Sequence, residues 1–598
     1  MSMAIPTRTM LVKPNRLTNS YVLLFLLFIA SIISTTHAAC SKIDQHSLLS
    51  SFDIASSSLN WSSKDCCRWE GIICNMAGRV THLLLPSKRL KGIISPSLGN
   101  LTHLSHLNLS HNILSGHLEA GFFLSLSRLH ILDLSYNFIS GEVPLSLPSS
   151  HIRLVDLSSN QFNGTIPSSF LQRAWNLSNL NVSNNFLTGQ IPSSICFYSS
   201  SVRLLDFSHN EFSGIIPLGI GNCSKLELFR AGFNNLLGTL PTDIHNPQAL
   251  EEISLPSNKL SGPIGAMKIL KDSKSLRVLL FTSNFLGEEM PDGDLMVDSF
   301  GFQNLSVLSL SRCQLTGKVP IWLSKLEKME VLDLSSNRLV GSIPVWLVTL
   351  QSLSFLNLNN NFISGEFPKE LCELPAFVTK WEENQTGHGD FELPVYYQSI
   401  NGSATLLQYK YISNLPKRIS FRNNSLISKI PLEIGKLQLL QELDIGFNNF
   451  FGNIPNQISN LPNLERLDLS RNHFSGELPA SLSSLHFLSS FSVAYNNLQG
   501  KIPLGTQLQG FNDTAFEGNP GLCGFPLPNE CQKKRPGDTT KNREDVHDTA
   551  NGIPWLHISV SLGFILGFWG VCGPLALSRS WRFAYFQFLS NIVDRFVC

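Results

Sequence analysis

Leucines alternate with polar residues over short runs, and each run closes in the same way. Residues 332–344 read LDLSSNRLVGSIP, residues 155–167 read VDLSSNQFNGTIP, and residues 467–479 read LDLSRNHFSGELP. The underlying phrase, L-x-L-x-x-N-x-L-x-G-x-I-P, returns about every 24 residues. Its L-x-L half predicts a short strand, with Leu332 and Leu334 turned inward and Asp333 outward. Asn337 follows at the strand end. Its amide can both donate and accept, so it can satisfy backbone groups of adjacent turns that would otherwise be buried unpaired. Gly341 permits a turn with positive φ, and Pro344 fixes φ and ends the bend. A repeat of this length is one structural turn, which buries its apolar residues only against its neighbours. The array therefore predicts one long solenoid.

Followed through the asparagine position, the turns run from Lys88 and Asn112 to Asn361, with Cys313 in the tenth place, and then from Asn424 to Asn496. This gives about 16 repeats, 12 over residues 80–371 and 4 over residues 419–505. Strands stacked roughly 4.8 Å apart make an arc on the order of 75 Å. The step from Asn361 to Asn424 is 63 residues, and the insert that fills it spans residues 372–418. Insertions in solenoids emerge as loops and often carry binding. Trp381, Tyr396, Tyr397, Tyr409 and Tyr411 are either contact residues there or the aromatics that pack the insert onto the solenoid.

The two ends follow a different pattern. Lys13 and Arg16 precede an apolar run at residues 21–33, and small residues follow at Thr36-His37-Ala38, so residues 1–38 read as a secretory signal. Residues 553–577 are apolar, without Asp, Glu, Lys or Arg, and are long enough to cross a bilayer. Arg579 and Arg582 come directly after them, which places the C-terminus in the cytoplasm and the repeats outside. Gly563 and Gly567 form a G-x-x-x-G spacing suited to contact with a second membrane helix. The tail, residues 578–598, has neither the motifs nor the room of a protein kinase. A linker of mixed charge, residues 532–552, joins the span to the repeats.

Net charge is +1 over 598 residues, so nothing points to nucleic acid. Twelve N-x-S/T sequons agree with secretion: Asn60, Asn100, Asn108, Asn163, Asn176, Asn181, Asn222, Asn304, Asn384, Asn401, Asn423 and Asn512. Of these, Asn108 and Asn181 face the strand side, where a glycan is least accommodated. Cysteines gather where a solenoid exposes raw edges: Cys40, Cys66, Cys67 and Cys74 before the repeats, Cys523 and Cys531 after them. Cys196 and Cys223 lie one turn apart and can bridge neighbours. Cys313, at an asparagine position, reads as a buried packing thiol.

The G-x-I-P half of the phrase resembles the plant-specific class of leucine-rich repeats over residues 80–505. The resemblance implies a curved, twisted superhelix with a parallel sheet on its concave face and short helices or loops on the convex side. WSSKDCCRWEGIIC resembles the N-terminal cap of plant leucine-rich-repeat receptors (residues 39–79), and FEGNPGLCGFPLPNEC resembles their C-terminal cap (residues 506–531). It implies pairing of Cys67 with Cys74 and of Cys523 with Cys531, leaving Cys40 for Cys66. An island followed by four repeats, a cap, a span and a short tail resembles a plant receptor-like protein. FPKELCELPAF and GTQLQGFNDTAFEGNPGLCG are similar to the tyrosine-sulfated glycopeptide receptor group, while GFWGVCGPLALSRSWRFAYFQFL is similar to defence-type receptor-like proteins. The family implies an extended peptide held by the island and nearby concave strands, and a partner receptor kinase. Two departures stand out. The linker is not markedly acidic, and Ser428 replaces the usual glycine after the island, which predicts a locally altered turn.

No HExxH, P-loop, G-x-S-x-G or zinc-type cysteine pair is present. His103, His106, His111 and His117 fall on different faces of one repeat, so no metal site is expected. Asp133, Asp156, Asp206, Asp333, Asp444 and Asp468 share one repeat position on the strand side. They read either as a cation-binding row or, more plainly, as solvated strand residues. Arg230, Leu280 and Arg422 depart from that pattern and are the candidate ligand contacts. The expectation is a cell-surface receptor without enzymatic activity or cofactor, bound to an extracellular peptide or microbial ligand and an adaptor or co-receptor kinase. A ligand-sequestering decoy and a wall-associated inhibitor of microbial enzymes stand as alternatives.

Overall fold

The computed structural model describes residues 38–51, 59, 61–119, 125–147, 150–290, 302–378, 415–505 and 507–531, and the backbone of residues 395–398 and 406–409. The signal segment, Asn60, Trp381, Asn384, Asn401, Tyr411, the linker, the apolar run 553–577 with Gly563 and Gly567, and the tail lie outside the described residues. Among the described residues no helix is long and apolar enough to cross a membrane. All described residues belong to one compact unit, residues 1–531.

The L-x-L runs form short strands, five residues at Val80–Leu84 and three at each later turn, and successive strands pair in parallel down to Ser490–Ser492. With the cap strand Ile72–Cys74, which pairs antiparallel to the first, the main sheet has seventeen strands among the described residues. Central leucines such as Leu107, Leu332 and Leu467 are buried in one continuous apolar core. The insert does not break the sheet, because Phe355–Asn357 pairs directly with Arg418–Ser420.

Asn337 shows how the turns are joined. Its Nδ2 donates to the carbonyls of Leu310 (2.8 Å) and Leu334 (2.9 Å), and its Oδ1 accepts from the backbone N–H of Cys313 (3.1 Å) and Leu315 (3.0 Å). The same bonds recur along the array. They extend one rung further than the repeat phrase predicts: Asn519, inside the C-terminal cap, donates to the carbonyls of Val493 and Phe516 and accepts from Leu498 N–H. At the first position Lys88 cannot make a rung. Its backbone N–H donates to Asn112 Oδ1, and its ammonium pairs with Glu70 of the N-terminal cap.

The far side carries the short helical turns expected and a second strand layer besides. Helical 3-10 turns are present, such as Val345–Thr349 after Pro344 (φ −71°). The N-x-L-x-G segments also form a second layer of parallel strands: eight from Lys91–Ile93 to Lys259–Leu260, and four from Phe451–Asn453 to Gly521–Cys523. Glycine makes the turn out of these strands. Gly116 has φ +81°, and a Cβ there would lie 2.6 Å from the Ile93 side chain of the preceding turn. Ser428 is not in the left-handed region, and the second layer there shrinks to Ser364–Gly365 paired with Ser425–Leu426.

Disulfides join Cys40 to Cys66, Cys67 to Cys74, Cys196 to Cys223 and Cys523 to Cys531. The N-terminal cap is further fixed by buried Asp44, which accepts from Arg79 Nε and from Val80 N–H (2.8 Å), the first residue of the strand Val80–Leu84. Cys313 and Cys372 are free and buried, and burial pushes both thiols up to about 12.

Asn337→Ala leaves four buried backbone groups without that partner and is expected to cost on the order of 3 kcal/mol. Exposed Asn456→Ala is expected to change stability by less than about 0.5 kcal/mol. Denaturant midpoints of the two variants measure the contrast. Cys313 and Cys372 are expected to resist alkylation at pH 8 until the protein is unfolded, as read by peptide mapping.

Candidate ligand-binding face

In each short strand the first and third residues point the same way, so the main sheet presents two parallel rows of side chains. Register fixes their members. One row runs His82, His106, Ile131, Leu154 and on to Glu252, Val278, Val307, Val331, Phe355, Arg418, Glu442 and Arg466. The other carries Asn108, Asp133, Asp156, Asn181, Asp206, Arg230, Leu280, Asp333, Asp444 and Asp468.

The aspartates are neither a cation row nor simple solvated residues. Asp133 Oδ1 accepts from both the N–H and the Oγ of Ser135, and Asp156 does the same with Ser158. Asp206, Asp333 and Asp468 accept from the N–H two residues on. These bonds close the strand ends, a use of Asp that the D-x-S spacing itself signals. Burial raises the carboxyls of Asp156, Asp206 and Asp333 above the usual range. Asn108 and Asn181 stand in the same place, with their Oδ1 atoms taken by Ser110 and Ser183. Asn304 is also half-buried. Asn100, Asn163, Asn176, Asn222, Asn423 and Asn512 are exposed.

All three candidate contacts are already engaged within the fold. Arg230 makes a bidentate pair with Glu252 of the next strand, at 2.6 and 2.8 Å, and Glu252 is fully buried. The pair runs diagonally between strands, which single-position reasoning does not see. Leu280 is 3% exposed within an apolar cluster with Val278, Val307, Val331, Phe355 and Leu415. Leu415 marks the return of the chain from the insert, so this stretch of the face is already covered. Arg422 does lie in a charged group. Its Nη1 is 3.6 Å from Asp444 and contacts Asp468, and its guanidinium stands 4.3 Å from the Phe447 ring centroid. Beside it Arg418, 2% exposed, bonds Glu442 (3.1 Å) and Ser420, and Arg466 reaches Glu442 at 3.3 Å. Assigning Arg418 to the insert hid it from the sequence reading. In the insert, Val395–Gln398 pairs antiparallel with Leu406–Tyr409, placing Tyr396 opposite Gln408, Tyr397 opposite Leu407 and Tyr409 opposite Val395.

Histidines do gather, but from successive turns rather than within that one repeat. His82 and His106 stack at 4.2 Å between centroids, His106 and His130 at 6.2 Å, and His130 lies 5.7 Å from His151. The spacing of 24 residues between His82, His106 and His130 was the available signal. Burial lowers His82, and burial together with the neighbouring imidazoles lowers His106. His111 instead stacks on Tyr136, and His117 ends the strand Ile113–His117.

Comparison with known proteins matches this architecture. The leucine-rich-repeat pattern is found at residues 303–363 and, in single repeats, at 128–150, 151–172, 176–197, 201–223, 439–461 and 463–485. Receptor-like protein 3 of Arabidopsis thaliana is 34% identical over an alignment covering 90% of this chain and 92% of that protein. The chain belongs to the plant leucine-rich-repeat receptor-like proteins. Phytosulfokine receptor 1 of Arabidopsis thaliana is 46% identical over a shorter stretch, 14% of this chain and 9% of the receptor. Among solved structures, the plant peptide hormone receptor RGFR1 in complex with RGF2 superposes with a TM-score of 0.58, at 27% identity, over 75% of this chain and 72% of its own. The TDR receptor gives a TM-score of 0.53 at 26% identity, over 74% and 63% of the two chains.

In this receptor-like protein the Asp444 carboxyl is buried, and among the described residues only one of its oxygens is hydrogen-bonded. Its Oδ1 accepts from Gly446 N–H, and its Oδ2 has no partner among the described residues. Burial first, then the charge of Asp468, pushes it up to about 7, against the pull of Arg422 and Arg418. The folded protein therefore keeps a proton that the unfolded chain loses near pH 4. Stability from this group is present at low pH and declines as pH rises from about 4 to about 7, by at most about 1.4 kcal/mol per unit. Asp444→Asn is expected to flatten that decline in denaturation curves recorded across the window.

Proposed function

We propose that this protein is a single-pass cell-surface receptor that binds an extracellular peptide or microbial ligand. The ligand lies across the concave face and the island, and the signal passes through a partner receptor kinase. The observation that carries the reading is the uninterrupted main sheet. Its two outward rows change from histidine to apolar to charged along the array, while its backbone is satisfied internally. Such a surface suits recognition of an extended chain, and its carboxylates are committed to strand ends and ion pairs rather than poised for chemistry.

Topology supports the same reading. The secretory signal and the span at residues 553–577 support recognition outside the membrane. Solved relatives of similar fold include a peptide hormone receptor bound to its peptide. By this reading the protein is not an enzyme and carries no cofactor. Gly563 and Gly567 provide the membrane contact with the partner, and the exposed sequons carry glycans.

Affinity purification of the full-length protein from membranes, with and without a bound extracellular ligand, tests the proposal. A receptor kinase that co-purifies only with ligand is the expected result. Ligand binding without any kinase supports the decoy instead, and phosphorylation of substrates by the purified chain itself contradicts both.

A further inference from the structure

Two histidines of successive turns occupy one register position on the main sheet. His82 pairs with His106, and their rings stack at 4.2 Å between centroids, 12° from parallel. The residue before each carries a hydroxyl against the ring. Thr81 Oγ1 lies 2.9 Å from His82 Nδ1, and Ser105 Oγ lies 2.8 Å from His106 Nδ1. Each hydroxyl already commits its one hydrogen elsewhere. Thr81 Oγ1 donates to the carbonyl of Ile73 (3.1 Å), and Ser105 Oγ donates to that of Thr81 (2.9 Å). A carbonyl only accepts, so each hydroxyl oxygen takes its second bond as acceptor, from the ring.

That network fixes the tautomer. Both rings carry their proton on Nδ1 and leave a lone pair on Nε2. Neither Nε2 has a hydrogen-bond partner among the described residues. The two lone pairs therefore stand side by side on the outward row of the sheet, on half-buried rings. An imidazole held by a hydrogen bond at one nitrogen, with the other bare, is oriented as a metal ligand. Bonds of about 2.0–2.1 Å to one cation need the nitrogens roughly 3–4 Å apart, and the soft χ2 of histidine allows the tilt that requires. His130 follows one position off the row, because it is Ile131 that pairs with His106. Its ring lies 6.2 Å from that of His106. Among the described residues no third histidine, cysteine or carboxylate stands within ligand reach of both rings.

We propose that His82 and His106 form a two-imidazole site for a divalent transition-metal cation, copper(II) ahead of zinc(II), with water in the remaining positions. Two nitrogen donors and water suit tetragonal copper(II), which also binds such donors most tightly among the first-row divalent ions. Magnesium and calcium take oxygen ligands and find none here. The inference goes beyond the receptor reading and does not depend on it. Full-length glycosylated protein in detergent, carrying no polyhistidine tag, is titrated by calorimetry with copper(II), zinc(II) and magnesium at about pH 7.5, above the usual imidazole range. Pulsed electron paramagnetic resonance of the copper(II) complex counts the bound imidazoles.

Copper(II) is expected to bind about tenfold or more tighter than zinc(II), with two imidazoles on the metal and no binding of magnesium. His82→Gln and His106→Gln are each expected to weaken copper(II) at least about tenfold and to leave one imidazole, at an unchanged thermal midpoint of the metal-free protein. Ser105→Ala frees one ring from its hydroxyl and is expected to weaken binding about tenfold while both imidazoles remain, which separates positioning from ligation. His117→Gln is expected to change nothing. Equal affinity for copper(II) in the unaltered protein and His106→Gln overturns the proposal. A copper(II) complex of the unaltered protein with fewer than two imidazoles overturns it as well, whether or not the variants fold.

Discussion

Every turn of this solenoid ends in a buried strand terminus whose backbone groups have no water to turn to, and the asparagine rung answers that requirement. One amide takes two carbonyls and two N–H groups from its own and the preceding turn, as at Asn337. An unpaired buried backbone group costs about 1–3 kcal/mol, so the rung outweighs the strain it imposes. The residue before it sits in the left-handed region at nearly every turn, including β-branched-free but bulky Tyr136, Phe233 and Phe447. Each such residue costs on the order of 1 kcal/mol and persists because the bonds around it over-determine its conformation.

Because the rung settles the backbone internally, the outward rows of the main sheet are free to vary. They vary in blocks: a histidine stack near the N-terminus, an apolar stretch covered with Leu415, and a charged group from Arg418 to Asp468. The left-handed strain also has a use. It brings side chains of successive turns into register as stacked pairs, such as His111 with Tyr136 and His209 with Phe233. The Phe447–Arg471–Tyr495 row is the same device with a cation in the middle. A fold chosen for repetition thereby supplies ordered aromatic platforms along one edge.

Most of the fold was legible in the chain because period and ladder chemistry are local. The phrase stops short of Asn519, whose F-E-G-N-P-G-L context drops the leading L-x-L, and the structure continues the ladder there. The second strand layer was missed because N-x-L-x-G has no alternation of its own and pairs only with its copy a turn away. Site residues were harder for the same reason. Arg230 looks free in a single repeat, yet its carboxylate stands on the next strand, and Leu280 looks exposed until its row neighbours are placed beside it. Arg422 was read as a departure from the aspartate position, but register puts Ser420 there, and the partners of Arg422, Asp444 and Asp468, come from two other turns.

The central claim is that the asparagine ladder makes one continuous body from the first repeat into the C-terminal cap, with no break between Asn361 and Asn424. Backbone hydrogen exchange of the full-length protein tests it most directly. Ile363, whose N–H donates to Asn424 across the insert, should exchange as slowly as Leu339 and Leu426, which donate to Asn361 and Asn448 on either side. Leu498, bonded to Asn519, should be protected with them. Fast exchange at Ile363, dividing the array into two independently opening blocks, would contradict the account.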